Sequence, residues 1–140
     1  MHLRKAFAYL IRVDHLRPRL LVFNSLEEPG LEVPKGAAEE GETFAEAVVR
    51  ELREETGITG ARTIRELGTT WYGNEEQRFF LLAAQAGLPD AFEHTVTGEG
   101  GDRGFRYVFH WMPVDPSLRA ELVQGCGALV GALIDAVGWL

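Results

Sequence analysis

A single cysteine, Cys126, is all the chain carries, so no disulfide can form within it. It lies in an apolar stretch running to Val130, where a thiol serves as a small buried hydrophobe. Repeats, low-complexity tracts and linkers are missing as well. So is any long apolar run. The stretch with least charge, Cys126 to Leu140, contains Asp135 and is too short to span a bilayer. The amino-terminal MHLRKAFAYLIRV puts basic residues ahead of apolar ones, as a signal peptide does. Arg12 and Asp14 interrupt that pattern, and no small-residue cleavage site follows. A strand is expected there instead, with a cytoplasmic location and no membrane partner. Positive charge is in deficit: 14 Lys and Arg stand against 21 Asp and Glu, a formal net charge of −7. That weighs against an extended nucleic-acid partner, whose phosphates must be neutralised by Lys and Arg. A small phosphate ligand needs only a local cluster of cations or a bound metal.

What is present suits one soluble globular unit. The 140 residues are 46% apolar and 25% charged, enough to bury one core, and a single domain over residues 1–140 is expected. Strands are expected over Leu3 to Val13, Arg19 to Asn24, Thr63 to Tyr72, Gln77 to Ala84 and Phe105 to Met112. Leu31 to Pro34 reads as a short extended piece. Gly87 to Asp102 reads as a long loop. A last helix is expected from Pro116 or Ser117, with Leu118, Leu122, Leu129 and Leu133 near one stripe. Mixed strands and helices predict an α/β layered fold.

The plainest element is a helix over Thr43 to Thr56. Thr43 and Glu46 are spaced for a capping box. Gly57 suits the left-handed position past the end, and Ile58 the accompanying hydrophobic contact. With Glu51 at zero on a helical wheel, Glu55 falls at about +40° and Glu54 at about −60°. Ala45, Val48, Val49, Leu52 and Thr56 occupy the neighbouring arc and are expected to face the core. Ala47, at about −40°, is expected to keep the carboxylate face low. Three like charges at this spacing repel, and they sit near the helix end that disfavours negative charge. A hard divalent cation such as Mg²⁺ turns that cost into binding.

From Gly36 to Ile58 the sequence reads GAAEEGETFAEAVVRELREETGI. It fits G-x5-E-x7-R-E-U-x-E-E-x-G-U, with U a bulky aliphatic residue, at Gly36, Glu42, Arg50, Glu51, Leu52, Glu54, Glu55, Gly57 and Ile58. That pattern resembles the Nudix box. The resemblance implies an α/β/α sandwich on a mixed sheet and hydrolysis of a phosphoanhydride bond. It implies Mg²⁺, with Mn²⁺ possible, held by Glu54, Glu55 and the Gly36 carbonyl. Glu51 is then a further ligand or the base that activates water. Arg50 orients a neighbouring glutamate, and Glu42 braces the loop. A further loop glutamate occurs in some members. Glu99 is placed for it, with Glu93 and Asp102 as competitors.

The implied partner is a small phosphate-rich molecule, a nucleoside diphosphate derivative or dinucleoside polyphosphate. Pro34-Lys35-Gly36 resembles members acting on dinucleoside polyphosphates or diphosphoinositol polyphosphates, with Lys35 on phosphate. Arg78, Arg103 and Arg106 are further candidate phosphate contacts. Trp71 and Tyr72, near a turn, are candidates to stack on a base, while Phe79 is assigned to the core. His94 and His110 have no metal-ligand spacing. A nucleotide-sensing domain without catalysis and an RNA 5′-end pyrophosphohydrolase remain alternative readings. A monomer and a homodimer are equally compatible with the sequence.

Overall fold

The computed structural model describes residues 2–123 and 125–138. Eight strands form one mixed sheet: β1 (Leu3–Asp14), β2 (Arg17–Ser25), β3 (Leu31–Glu32), β4 (Lys35–Ala37), β5 (Arg62–Tyr72), β6 (Glu75–Ala83), β7 (Ala91–Thr95) and β8 (Arg106–Pro113). Helix α1 (Phe44–Thr56) covers one face, and α2 (Leu118–Glu121) and α3 (Val130–Val137) the other. The main path runs β5-β6-β1-β2-β8-β7. β1 and β6 pair in parallel, and the other strand pairs are antiparallel among the described residues. No helix among the described residues is long and apolar enough to cross a membrane.

The central strand β1 is buried on both faces, as a strand between two helical layers must be. Ala6, Ala8 and Leu10 face the α1 layer, and Phe7, Tyr9 and Ile11 face the other. The small side chains of Ala6 and Ala8 suit a close approach by α1. Ala47 on the helix is likewise fully buried against this layer, so its size serves sheet packing, not an open substrate face. Ala45 and Val49, expected in the core, are exposed. The buried arc takes in Phe44 and Glu55 instead. It overlaps the carboxylate face, which the wheel had set beside it.

Two other expectations change. The stretch Gly87 to Asp102 is not all loop, because Ala91–Thr95 forms β7, an edge strand paired with β8. Its Glu93, His94 and Thr95 hide the strand in the sequence, since an edge strand can leave much of itself to water. The last helix is two helices. Gly125 adopts φ +94 between them, a conformation that glycine takes at little cost, and buried Cys126 follows.

One irregularity of the sheet prepares the site. β1 pairs with β2 only from Ile11 to Asp14, and with β4 from Lys5 to Phe7. β2 in turn takes β3 at Phe23 and Asn24. The two long strands diverge from their hairpin, and the segment Leu31–Ala37 fills the wedge. The hairpin turn is His15-Leu16, with φ +52 and +65, the twist-matched geometry of a two-residue loop.

Candidate active site

The wedge segment and α1 meet edge to edge. Gly36 pairs with Ala6, so its Cα faces the helix. A Cβ there would lie 2.0 Å from the Glu51 carboxyl carbon, and only glycine allows this approach. The main-chain amide of Lys35 donates to Glu55 Oε1 at 3.1 Å. On the far side, Gly98 meets Glu54 the same way, with a Cβ position 2.1 Å from Glu54 Oε1. Glu51, Glu54 and Glu55, with Asp102, line one cleft of about 560 Å³.

Helix α1 has the ends its sequence calls for. Thr43 and Glu46 form the reciprocal capping box, and Gly57 takes φ +78. Its Glu54 carbonyl is tied to β7 and the segment that follows it. The Glu54 carbonyl accepts from the Thr97 amide at 3.0 Å, and His94 Nε2 lies 3.2 Å from it. His94 thus supports the helix end. A polar histidine in an unrecognised edge strand gave no sequence signal of that role.

Arg50 is the electrostatic hub. Its Nε and Nη2 grip Glu42 at 2.8 and 2.9 Å, and Nη2 also donates to the Ala37 carbonyl. Nη1 reaches Glu51 at 2.9 Å and both oxygens of Glu54 at 3.1 and 3.2 Å. One guanidinium therefore fixes loop, wedge and two carboxylates together. Its hydrogen bonds hold Glu42 below the usual carboxylate range.

The remaining acids are under-compensated. Burial pushes the Glu51 carboxyl up to about 7 despite Arg50, with Glu54 and Asp102 adding to the rise. Burial also raises Glu55, 3% exposed, well above the ordinary value, helped by Asp102 and opposed by Lys35. Buried carboxylates short of cations are a recognised mark of a functional site. Among the described residues no three Asp, Glu, His or Cys side chains already converge as a ligand set. The reason lies in the geometry above: Arg50 draws Glu51 and Glu54, and the Lys35 amide draws Glu55. The donor set nevertheless fits a hard divalent cation, which takes carboxylate and carbonyl oxygens. Such a cation would offset the burial, and the smaller repulsion from neighbouring acids, that raise Glu51 and Glu55.

The other candidates divide. Asp102 points inward, accepting from Tyr107 Oη at 3.2 Å and interacting with Glu55. Glu99 borders the cleft from an exposed loop and pairs with Arg103 at 3.4 Å. Glu93 pairs with Arg106. Lys35 lies at the cleft, ion-paired with Glu32. Arg78 is not brought there. Its guanidinium covers Phe44 at 4.3 Å and pairs with Glu66 and Glu76. Trp71 and Tyr72 alternate across the strand pleat, yet both line one cleft of about 670 Å³ beside the β5–β6 hairpin. The Trp71 ring stacks on His2, and Tyr72 is exposed on the opposite face.

A family profile, the NUDIX domain, matches residues 1–125. The chain is 53% identical over 36 residues to Nudix hydrolase 27, chloroplastic, of Arabidopsis thaliana, a match over 26% of this chain and 16% of that protein's length. Two solved structures superpose over nearly the whole chain. A C. elegans Ap4A hydrolase gives a TM-score of 0.70 at 18% identity, covering 98% of this chain and 99% of that one. The E. coli dihydroneopterin triphosphate pyrophosphohydrolase gives 0.65 at 18% identity, covering 98% and 96%. At these identities the structures speak for the fold.

Proposed function

The chain belongs to the Nudix family, and from that premise we propose that it is a divalent-cation-dependent hydrolase. It breaks a phosphoanhydride bond in a nucleoside diphosphate derivative or dinucleoside polyphosphate. The observation that carries this is the gathering of Glu51, Glu54, Glu55 and Asp102 around one cleft with a single guanidinium, Arg50, among them. The two solved relatives, an Ap4A hydrolase and a dihydroneopterin triphosphate pyrophosphohydrolase, support a polyphosphate substrate.

Glu54 and Glu55, with the Gly36 carbonyl, are the proposed cation holders. Bound Mg²⁺, or Mn²⁺ in its place, supplies neutralisation of the phosphates and a lowered pKa for the attacking water. Glu51 takes the proton as the water oxygen attacks phosphorus in line. The anhydride P–O bond breaks, and the electron pair leaves with the departing phosphate. A base near neutrality suits proton transfer of this kind. Arg50 holds Glu51 and Glu54 in place, and Lys35 meets phosphate. The loop acid is assigned to Asp102 in preference to Glu99, because Asp102 reaches Glu55.

Separating and identifying the cleavage products by chromatography decides the matter. The assay runs with Mg²⁺ and then Mn²⁺ over nucleoside triphosphates, ADP-ribose, diadenosine polyphosphates, NADH, a nucleotide sugar and a 5′-triphosphate RNA. One class should turn over, and Glu54→Gln should abolish it. A wild type that binds nucleotide yet cleaves none of these would make the domain a nucleotide sensor.

A further inference from the structure

The loop that carries Glu42 is anchored from outside the nine-position pattern. Residues 38–43 join β4 to α1. Within them the Glu39 amide donates to Glu42 Oε1 at 2.9 Å, and the Glu42 amide to the Glu39 carbonyl at 3.0 Å. Arg50 grips the Glu42 carboxylate from the helix side. From the sheet side the loop is held by Arg4. The Arg4 carbonyl accepts from the Ala38 amide at 2.8 Å, and Arg4 Nη2 donates to the Glu42 carbonyl. One residue of β1 thus ties the loop at both ends.

The pleat and a ring explain why Arg4 can do this. Alternate residues of a strand share a face, so Arg4 lies with Ala6 and Ala8 on the side of β1 turned to α1. Arg78 pairs with Ala6 and shares that face. The Arg4 guanidinium carbon lies 4.8 Å from the centroid of the Phe44 ring, and that of Arg78 4.3 Å from it. Phe44 is the first residue of α1 and is 7% exposed. Guanidiniums stack on aromatic rings, and the ring gives the Arg4 fork a fixed platform beside the loop. Arg4 makes no ion pair among the described residues, so its charge serves the hydrogen bond to the Glu42 carbonyl, and such charge-assisted bonds are the stronger kind. The Glu42 carboxyl is held low by Arg50 first, with the Glu39 amide and the charge of Arg4 adding to the effect.

We propose that Arg4 is a positioning residue for the cation site: it fixes residues 38–43, so that Glu42 holds Arg50 and Arg50 holds Glu51 and Glu54. Arg4 does not line the carboxylate cleft and acts only through this chain of contacts. Arg78, displaced from the cleft, serves the same end by packing on Phe44. The proposal rests on the divalent-cation reading of that cleft.

Mn²⁺ binding, followed by electron paramagnetic resonance, tests it without turnover. Arg4→Gln should weaken Mn²⁺ binding roughly tenfold, the lower end of what partners behind metal ligands are worth, and should lower kcat more than it raises KM. Arg4→Lys keeps the charge but not the planar fork and should show a smaller loss. In a Glu42→Gln background Arg4→Gln should add little, because the two act in series. Arg12, at the other end of β1, is the control. Its guanidinium also lies over a ring, Trp111 at 4.5 Å, and donates to a carbonyl, that of Leu88 at 3.2 Å. Arg12→Gln should lower the melting temperature and leave Mn²⁺ affinity and kcat as they were. Wild-type Mn²⁺ affinity in either folded Arg4 variant, an equal loss in Arg12→Gln, or a full further loss in the Glu42→Gln background overturns the proposal alone. A wild type that binds no Mn²⁺ overturns the cation reading and the proposal with it.

Discussion

Among single residues, Arg50 and Glu51 set the balance of charge in the cleft. Arg50 reaches Glu42, Glu51 and Glu54, yet burial still lifts Glu51 from 4.5 to about 7. The folded state then holds the Glu51 proton more tightly than the unfolded chain does. Stability from this group is present in full below about pH 4.5 and is lost as pH rises through about 7. Relative to Glu51→Gln in EDTA, the wild type should lose melting temperature between about pH 5 and about pH 8. Mg²⁺ should restore more at the higher pH. Parallel melting profiles for the two proteins would refute the account. The box residues at the cleft were legible in the sequence because their spacing is local to one helix and one loop. Which loop acid turns inward was not. Whether Asp102 or Glu99 turns inward depends on Tyr107 and on the docking of the loop against α1, both set by distant strands.

Elements show the same division between local and distant causes. Helix α1 was readable from end to end because its capping box, length and terminal glycine are written within the segment. Thr43→Ala removes the side-chain acceptor for the Glu46 amide and should cost about 1 kcal/mol. Thermal melting should fall by a few degrees while kcat is retained. A fall in kcat without a fall in melting temperature would mean that the cap acts on the chemistry. Strand β7 and the break after α2 were not readable. The first is an edge strand whose polar residues look like loop, and one of them, His94, supports the last turn of α1. The second has leucines at helical spacing on either side of a non-helical position, Gly125, with φ +94.

Across the whole molecule, the sheet couples the carboxylate cleft to the cleft beside the β5–β6 hairpin through residues on opposite faces of the same short strand. Gly36 faces the carboxylates, while Lys35 reaches towards the hairpin cleft. One buried hydroxyl ties the wall of that cleft to the central strand. Tyr9 Oη donates to the Cys126 carbonyl at 2.6 Å and accepts from the Leu129 amide at 3.3 Å. Tyr9→Phe leaves both groups without that partner and should cost about 1–3 kcal/mol in urea unfolding. Tyr72→Phe, which removes an exposed hydroxyl, should stay within about 0.5 kcal/mol of wild type. Similar losses for the two would mean that the Tyr9 bridge carries no net stability.

The hairpin that starts the wedge has a practical side. Its turn residue Leu16 is 95% exposed, and nine residues of β1 lie between Lys5 and His15, a span of about 33 Å at about 3.3 Å per residue step. Neither His15 nor Leu16 lines either of these clefts. A dye, a surface tether or an inserted peptide tag placed at this turn therefore sits at the opposite end of the sheet from the chemistry, which makes it the natural handle for holding the molecule while its reaction is watched.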